Sequence, residues 1–561
     1  MMGGNAVGKV DGKLSVVFMT AAAGPGTRAA PLGAARVSSA LKAAPDIAGR
    51  ISVAIVEGFA GDTPEAMAAK AAALRPDILG LSLYSWNAGL LEAACALLKE
   101  VRPGLLVVAG GPDASAAPER LLADGIADIV VTGEGEESFP VLVRSRLAGT
   151  PMPGPLVRSP LLDPAGLASP WLDGTLDPAR WGGAAIELTR GCPYRCAFCF
   201  ESKGAARLRR FPLEVIDAEI ARFAAAGVEE VFVLDPTFNA DSRRMAEAIR
   251  IFSERGPDMR YVIELRAELL TAEQARLLST IDCSVQIGLQ SCDPKVLAPL
   301  DRKLEPELFA RKIRLLEEEG VIYGLDLIYG LPGDDIAGFR RSLDYALDLG
   351  PNHLDVFRLA VLPGTALADR AASLGLEYDA KAPYLVRSSP RFGSGDLDEA
   401  RRLAEAADLY YTKGRAVMWF RPVAALLRFR PSTIIARFAD HVAGLGIDPA
   451  LPHREIEGIQ LQFLSSLFAE RPPKGNAGKA AADAALDLVR VSGAWTRALA
   501  EGESTELSLG WNPEDLLDYA TADIAEFAAE APRTAGRWTC APGNDGPRFM
   551  RSGAGRGVRS R

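Results

Sequence analysis

The chain has 561 residues, 48% of them hydrophobic and 24% charged, with a net charge of −9. That is ordinary globular composition with room for several cores, and its acidity gives no basis for general nucleic-acid affinity. Seven cysteines are an odd number for a disulfide framework, the first residues lack the apolar segment of a secretion signal, and no run nears the roughly 20 apolar residues of a membrane span. The expectation is a soluble cytoplasmic protein.

Apolar runs at Leu14–Thr20, Ile51–Gly58, Ile78–Trp86, Leu105–Gly110 and Ala127–Thr132 predict strands, with Ala-rich helical stretches such as Pro31–Ala44 and Leu90–Val101 between them. Unbroken rather than alternating apolar strands imply burial on both faces, hence a parallel sheet covered by helices. Residues 1–148 therefore read as an α/β, doubly wound, Rossmann-like domain. Ligands of such sheets bind beyond the carboxyl ends of the strands. At those ends stand Ser82-Leu83-Tyr84-Ser85-Trp86, Gly110-Gly111-Pro112 and Gly133-Glu134-Gly135-Glu136.

Residues 149–183, rich in Pro and Gly, read as a linker. Strands are then predicted at Ala184–Thr189, Val228–Asp235, Tyr261–Arg266, Cys283–Gln290, Ile322–Tyr329 and Leu354–Val361, with helices such as Glu214–Ala225 and Glu305–Glu319 between them. Six βα units over 184–374 are too few for a closed eight-stranded barrel and describe a partial one, whose functional groups belong at the C-terminal strand ends. Directly after the first of these strands comes Thr189-Arg190-Gly191-Cys192-Pro193-Tyr194-Arg195-Cys196-Ala197-Phe198-Cys199-Phe200. Iron–sulfur clusters normally take four thiolates, so the spacing C-x₃-C-x₂-C leaves one iron open. A zinc site would need a fourth Cys or a His nearby, yet no histidine precedes His353 and Cys283 is far downstream. A redox pair with a spare thiol is the remaining alternative.

Residues 375–530 read as mostly helical, for example Asp396–Lys413 and Ala480–Val491. Within Ala416–Phe438, Trp419, Phe420, Arg421, Arg428, Phe429 and Arg430 would either grip an anion or form amphipathic helices with snorkelling arginines, and the second reading is favoured. Residues 531–561, rich in Arg and Gly, read as a disordered tail in which Cys540 is no cluster ligand.

The cysteine motif resembles the signature of the radical S-adenosylmethionine (SAM) enzymes. The resemblance implies a [4Fe–4S] cluster on Cys192, Cys196 and Cys199, with SAM on the fourth iron and an electron that splits it to a 5′-deoxyadenosyl radical. Phe198 would then pack near the adenine, and Asp235, Thr237 and Asn239 would hold the methionine amine. Glu264 and Arg266 form either a ligand clamp or a structural ion pair, Gln286 and Gln290 approach the ribose, and Gly330, Leu331 and Pro332 turn beside the adenine. Barrel-interior packing is the bland alternative for all of these.

The upstream domain is similar to the cobalamin-binding domain of many such enzymes. By that resemblance Leu32, Gly33, Ser82, Trp86, Gly110, Gly111, Pro112, Gly133, Glu134, Gly135 and Glu136 line the corrin. This domain has no histidine, so none of its residues can be a histidine ligand to the cobalt. The function implied is cobalamin-dependent methyl transfer to an unactivated carbon, with no general base or nucleophilic triad required. The alternatives are a cobalamin-dependent radical oxidation, cyclisation or rearrangement, and a non-catalytic cobalamin or cluster sensor. A small-molecule or peptide substrate and an electron donor such as flavodoxin or ferredoxin are the implied partners.

Overall fold

Strands that are apolar on both faces cannot lie at a surface, and the first six strands pair accordingly into one parallel sheet. The computed structural model describes residues 12–26, 29–201, 207–448, 450–473, 478–544 and 546–551. Strands β1 (Leu14–Ala22), β2 (Ile51–Phe59), β3 (Ile78–Ser82), β4 (Leu106–Gly110), β5 (Ile129–Thr132) and β6 (Leu156–Arg158) adopt the order β2-β1-β3-β4-β5-β6. Alternate residues go to opposite faces, as the two-residue strand period requires. Val17, Met19, Leu79, Leu81 and Val107 join one buried cluster with Met67, Leu91 and Leu98. Val16, Phe18, Ile78 and Val108 join another with Leu41, Phe139 and Leu142. Helices α1 (Leu32–Ala43), α2 (Pro64–Ala73), α3 (Ala88–Val101) and α4 (Gly135–Ala148) supply these partners.

The sheet holds one strand more than expected, because β6 comes from the segment read as a linker. Three residues carry too short an apolar signal to announce a strand; pairing with β5 makes one of them.

The described residues form two compact units, one within 1–287, 294–321 and 359–390, the other within 288–293, 322–358 and 391–561. All six strands of the second series are formed: β7 (Gly183–Ile186), β8 (Glu230–Val233), β9 (Arg260–Leu265), β10 (Cys283–Gln290), β11 (Ile322–Tyr329) and β12 (His353–Arg358). In the first unit β8 pairs in parallel with both β7 and β9, and β9 pairs with the start of β10. In the second unit β11 pairs in parallel with β12. The intervening helices include Leu213–Ala225 and Pro306–Glu318, close to their expected bounds.

The rest of the second unit is mostly helical. The aromatic and arginine stretch is amphipathic: Arg421, Arg428 and Arg430 are exposed, while Tyr410 is fully buried among Trp419, Phe420, Phe438 and Phe463, with ring centroids 4.5–6.0 Å away. The expected disordered tail is corrected in part. Gly536–Ala541 and Arg548–Arg551 are strands that form an antiparallel sheet with Thr505–Leu509. Pairing with Thr505 and Phe549 on either side leaves Cys540 fully buried; residues 552–561 lie outside those described. Among the described residues no helix is long and apolar enough to cross a membrane.

At the start of helix His453–Glu470, the His453 ring is buried with Nδ1 3.1 Å from Arg497 Nη1 and Nε2 3.4 Å from the Gly414 carbonyl oxygen. Burial, with Arg415 and Arg497 beside it, pushes its pKa from 6.5 down to about 4. Between those values the unfolded chain takes up a proton that the native state refuses, so stability falls as pH drops from 6.5 toward 4. Urea unfolding at pH 7 and pH 5 should show this loss, at most about 1.4 kcal/mol per pH unit, and His453→Asn should flatten it.

Candidate cluster and cofactor site

The cysteine loop is anchored before it begins. Asp235, just past β8, is buried and accepts from Leu188 N at 2.8 Å, Thr189 N at 3.0 Å and Thr189 Oγ1 at 2.7 Å. Burial nevertheless pushes its carboxyl up to about 6. Further along, Ala197 N donates to the Leu300 carbonyl at 2.9 Å, and Leu367 N donates to the Ala197 carbonyl at 2.8 Å. Cys199 N closes the turn on the Cys196 carbonyl at 3.0 Å, with Phe198 half-buried inside it.

Cys192 and Cys196 are buried and Cys199 is half-buried, where burial pushes its thiol up to about 12. Cys192 Sγ lies 3.8 Å from Thr237 Oγ1, whose hydroxyl is 2.7 Å from the Pro236 carbonyl. Cys196 Sγ lies 3.8 Å from Arg266 Nη1. Asn239 holds the Arg266 backbone from both sides, donating to its carbonyl at 3.0 Å and accepting from its N–H at 3.1 Å. Arg266 pairs with Glu268 at 2.6 Å, while Glu264 stands opposite Gln286 in the β9–β10 register. The polar groups of Asp235, Thr237 and Asn239 are thus engaged with the chain itself. Among the described residues no three His, Cys, Asp or Glu side chains converge as around a single metal ion. Three thiols in a buried turn with a cationic neighbour suit a polynuclear cluster, whose cysteines bind different irons.

Next to this loop lies a cavity of about 450 Å³. Leu32, Gly33, Ser82, Gly110, Gly111, Pro112, Gly133, Glu134, Gly135 and Glu136, the residues assigned to the corrin by resemblance, line it. So do Thr189, Arg190, Gly191 and Phe200 of the cysteine segment. Gly111 and Gly133 have φ of +98° and +83°, and a Cβ on Gly111 would sit 2.6 Å from the Leu83 carbonyl oxygen. Only glycine allows these turns to present bare backbone, a surface that suits a flat macrocycle. None of the chain's three histidines lines the cavity.

Trp86, assigned to the corrin by the same resemblance, is 48% exposed, donates from Nε1 to the Ala21 carbonyl at 3.1 Å, and is not among the residues lining this cavity. Tyr84, stacked on Trp86 at 4.5 Å, takes that place. Gln290, Gly330, Leu331 and Pro332 belong to the second unit. There Gln290 is buried at φ +69°, Gly330 turns the chain at φ +84° and Leu331 is fully buried.

Sequence reasoning missed an ionic seam along the cavity. Arg36 meets Glu187 at 3.0 Å, and Arg190 meets Glu187 at 3.1 Å, Glu136 at 2.7 Å and Glu134 at 3.5 Å. Arg209 meets Glu134 at 2.5 Å and the Leu162 carbonyl at 2.7 Å. None of these six side chains is more than 19% exposed. Burial pushes the Glu187 carboxyl up, but Arg190 and Arg36 outweigh it and hold it below the usual range. The signal was present in the run Glu187-Leu188-Thr189-Arg190, an opposed pair three residues apart immediately before the cysteines.

Residues 20–143 match the B12 binding domain family, and residues 186–346 match the radical SAM superfamily. The chain is 32% identical over 357 residues to 2-(S-pantetheinyl)-carbapenam-3-carboxylate methyltransferase of Streptantibioticus cattleyicolor, covering 55% of this chain and 51% of the relative. To the cobalamin-dependent radical SAM methyltransferase TokK of Streptomyces tokunonensis it is 30% identical over 352 residues, covering 56% and 51%. The chain therefore spans about half the length of these curated relatives. In fold it is similar to TsrM from Kitasatospora setae with cobalamin and a [4Fe–4S] cluster bound, at TM-score 0.56 and 18% identity over 81% of this chain and 100% of that one. The cobalamin-dependent SAM radical enzyme OxsB with aqua-cobalamin bound gives TM-score 0.57 at 14% identity, covering 88% and 81%.

Removing Arg190 leaves Glu136 and Glu187 short of their shared cation in a water-poor seam. Arg190→Met should cost about 3–5 kcal/mol, read as a fall in the thermal unfolding midpoint. Arg190→Lys, lacking the planar fork, should recover only part of it.

Proposed function

We propose that this chain, which joins a B12-binding domain to a radical SAM domain and so belongs to the cobalamin-binding radical SAM enzymes, transfers a methyl group to an unactivated carbon of its substrate. One observation carries the reading: a single cavity is lined both by the strand-end turns of the B12-binding domain and by residues flanking the cysteine loop. When bound, the cluster supplies the electron that cleaves SAM and the corrin supplies a carrier for the methyl group.

The chain's own residues hold and orient. Cys192, Cys196 and Cys199 provide thiolates for the cluster, and Asp235 fixes the entry to their loop. The Gly110-Gly111-Pro112 and Gly133–Glu136 turns offer backbone to the corrin, while Tyr84 and Ser82 close the cavity beside Gly33. The Arg190 seam ties those turns to the cysteine segment. Two relatives that bear the name methyltransferase support methyl transfer over radical oxidation or rearrangement. The substrate is a small molecule or a peptide, the electron comes from a reduced flavodoxin or ferredoxin, and so oxygen-sensitive a centre works in the reducing cytoplasm.

Anaerobically reconstituted protein should carry four irons and about one cobalt per chain. It should release 5′-deoxyadenosine, which Cys196→Ala should abolish. With methyl-labelled SAM the label should enter the product. Deoxyadenosine without label transfer would assign a non-methylating radical reaction, and cofactor binding without deoxyadenosine would assign a sensor.

A further inference from the structure

Two buried arginines converge on one sulfur of the cysteine loop. Arg266 Nη1 stands 3.8 Å from Cys196 Sγ, and Arg302 also donates a hydrogen bond to that sulfur. Their exposures are 8% and 9%. The Arg266 guanidinium is held between the sulfur and the Tyr194 ring, whose centroid is 3.7 Å away. Its backbone is clamped by Asn239. Arg302 follows Asp301, a left-handed residue at φ +54°, and its N–H reaches the Leu297 carbonyl at 3.3 Å. The same segment is tied to the cysteine loop through Ala197 N and the Leu300 carbonyl. Cys192 differs, facing a Thr237 hydroxyl that lies within hydrogen-bond distance of the Pro236 carbonyl.

Glu268 neutralises one guanidinium, so the group of Arg266, Arg302 and Glu268 presents a net positive charge to Cys196. Two guanidiniums and a single carboxylate are thus gathered at one buried sulfur. Such an arrangement disfavours the empty protein and is offset by an anionic group at the sulfur. An iron–sulfur cluster on thiolates is anionic, and it gains a further negative charge on reduction. Hydrogen bonds and cations at the sulfurs therefore favour the reduced state.

We propose that Arg266 and Arg302 raise the reduction potential of the cluster through the Cys196 sulfur, with Glu268 setting how far. The proposal rests on the assignment of the cluster to the three cysteines. It makes the arginines tuning and positioning residues, distinct from groups that grip SAM.

A redox titration of the reconstituted holoprotein without SAM, followed by the paramagnetic signal of the reduced cluster, tests it. In Arg302→Met and in Arg266→Met, the ratio of reduced to oxidised cluster at fixed potential should fall about tenfold, a downward shift of 59 mV for one electron. Arg302→Lys should stay near the wild type, and Glu268→Gln should shift upward. Unchanged potentials in the loaded variants, or shifts of one sign for both the arginine and the glutamate changes, overturn the proposal. Weaker SAM binding with an unchanged potential also overturns it and assigns the arginines to the SAM carboxylate. If Arg→Met variants fail to load iron, the sign of the Glu268→Gln shift decides. Wild-type protein without four irons would instead remove the cluster assignment itself.

Discussion

The site depends on a chain of buried charges, Arg36–Glu187–Arg190–Glu136/Glu134–Arg209, running between the strand-end turns of the first sheet and the segment that carries the cysteines. Three guanidiniums balance three carboxylates, so no net charge is buried and each head group keeps a partner. The Phe211 ring lies under both Arg36 and Arg190, at 4.6 and 5.5 Å, and limits their freedom to move. Burying ions is costly, and replacing such a network by apolar residues is often neutral for stability. Its value here is positional: forked, bidentate contacts fix the distance and register between two loops that must face one cavity.

A second theme is how the polar residues of the strand ends are used. Asp235 and Asn239 stand where ligand-holding groups were expected, yet their hydrogen bonds run to Leu188, Thr189 and Arg266 of the same chain. They shape the cysteine loop and aim an arginine at its second sulfur. The cavity itself presents glycine backbone, Tyr84 and the rims of the seam. Chemistry left to bound cofactors asks the protein mainly for geometry and a controlled dielectric, and these residues supply both.

The repeating βα pattern was legible because strands buried on both faces have no polar alternation to confuse the reading; Leu14–Ala22 was plain for that reason, and Cys283–Gln290 was plain for the opposite one, a regular alternation of buried apolar and half-buried polar positions. The C-x₃-C-x₂-C spacing and the glycine turns at strand ends were legible because their chemistry is local. Leu156–Arg158 was not, since a three-residue strand exists only through its neighbour. Nor were the strands at Gly536–Ala541 and Arg548–Arg551, whose Arg- and Gly-rich residues are mostly half-buried or exposed and form strands only through pairing with Thr505–Leu509 and each other. Trp86 came from the resemblance to cobalamin-binding domains, which does not show which aromatic of this loop turns outward.

The amino-acid sequence by itself determined the two α/β series, the three thiols without a fourth and the histidine-free first domain, all properties of residue type and spacing along the chain. The tertiary structure decided which charges meet. Arg36 and Glu187 are 151 residues apart, Arg209 and Glu134 are 75, and Arg266 and Cys196 are 70. Such pairings carry no local signature, because a guanidinium finds its carboxylate or sulfur only after the sheets have placed their strand ends side by side.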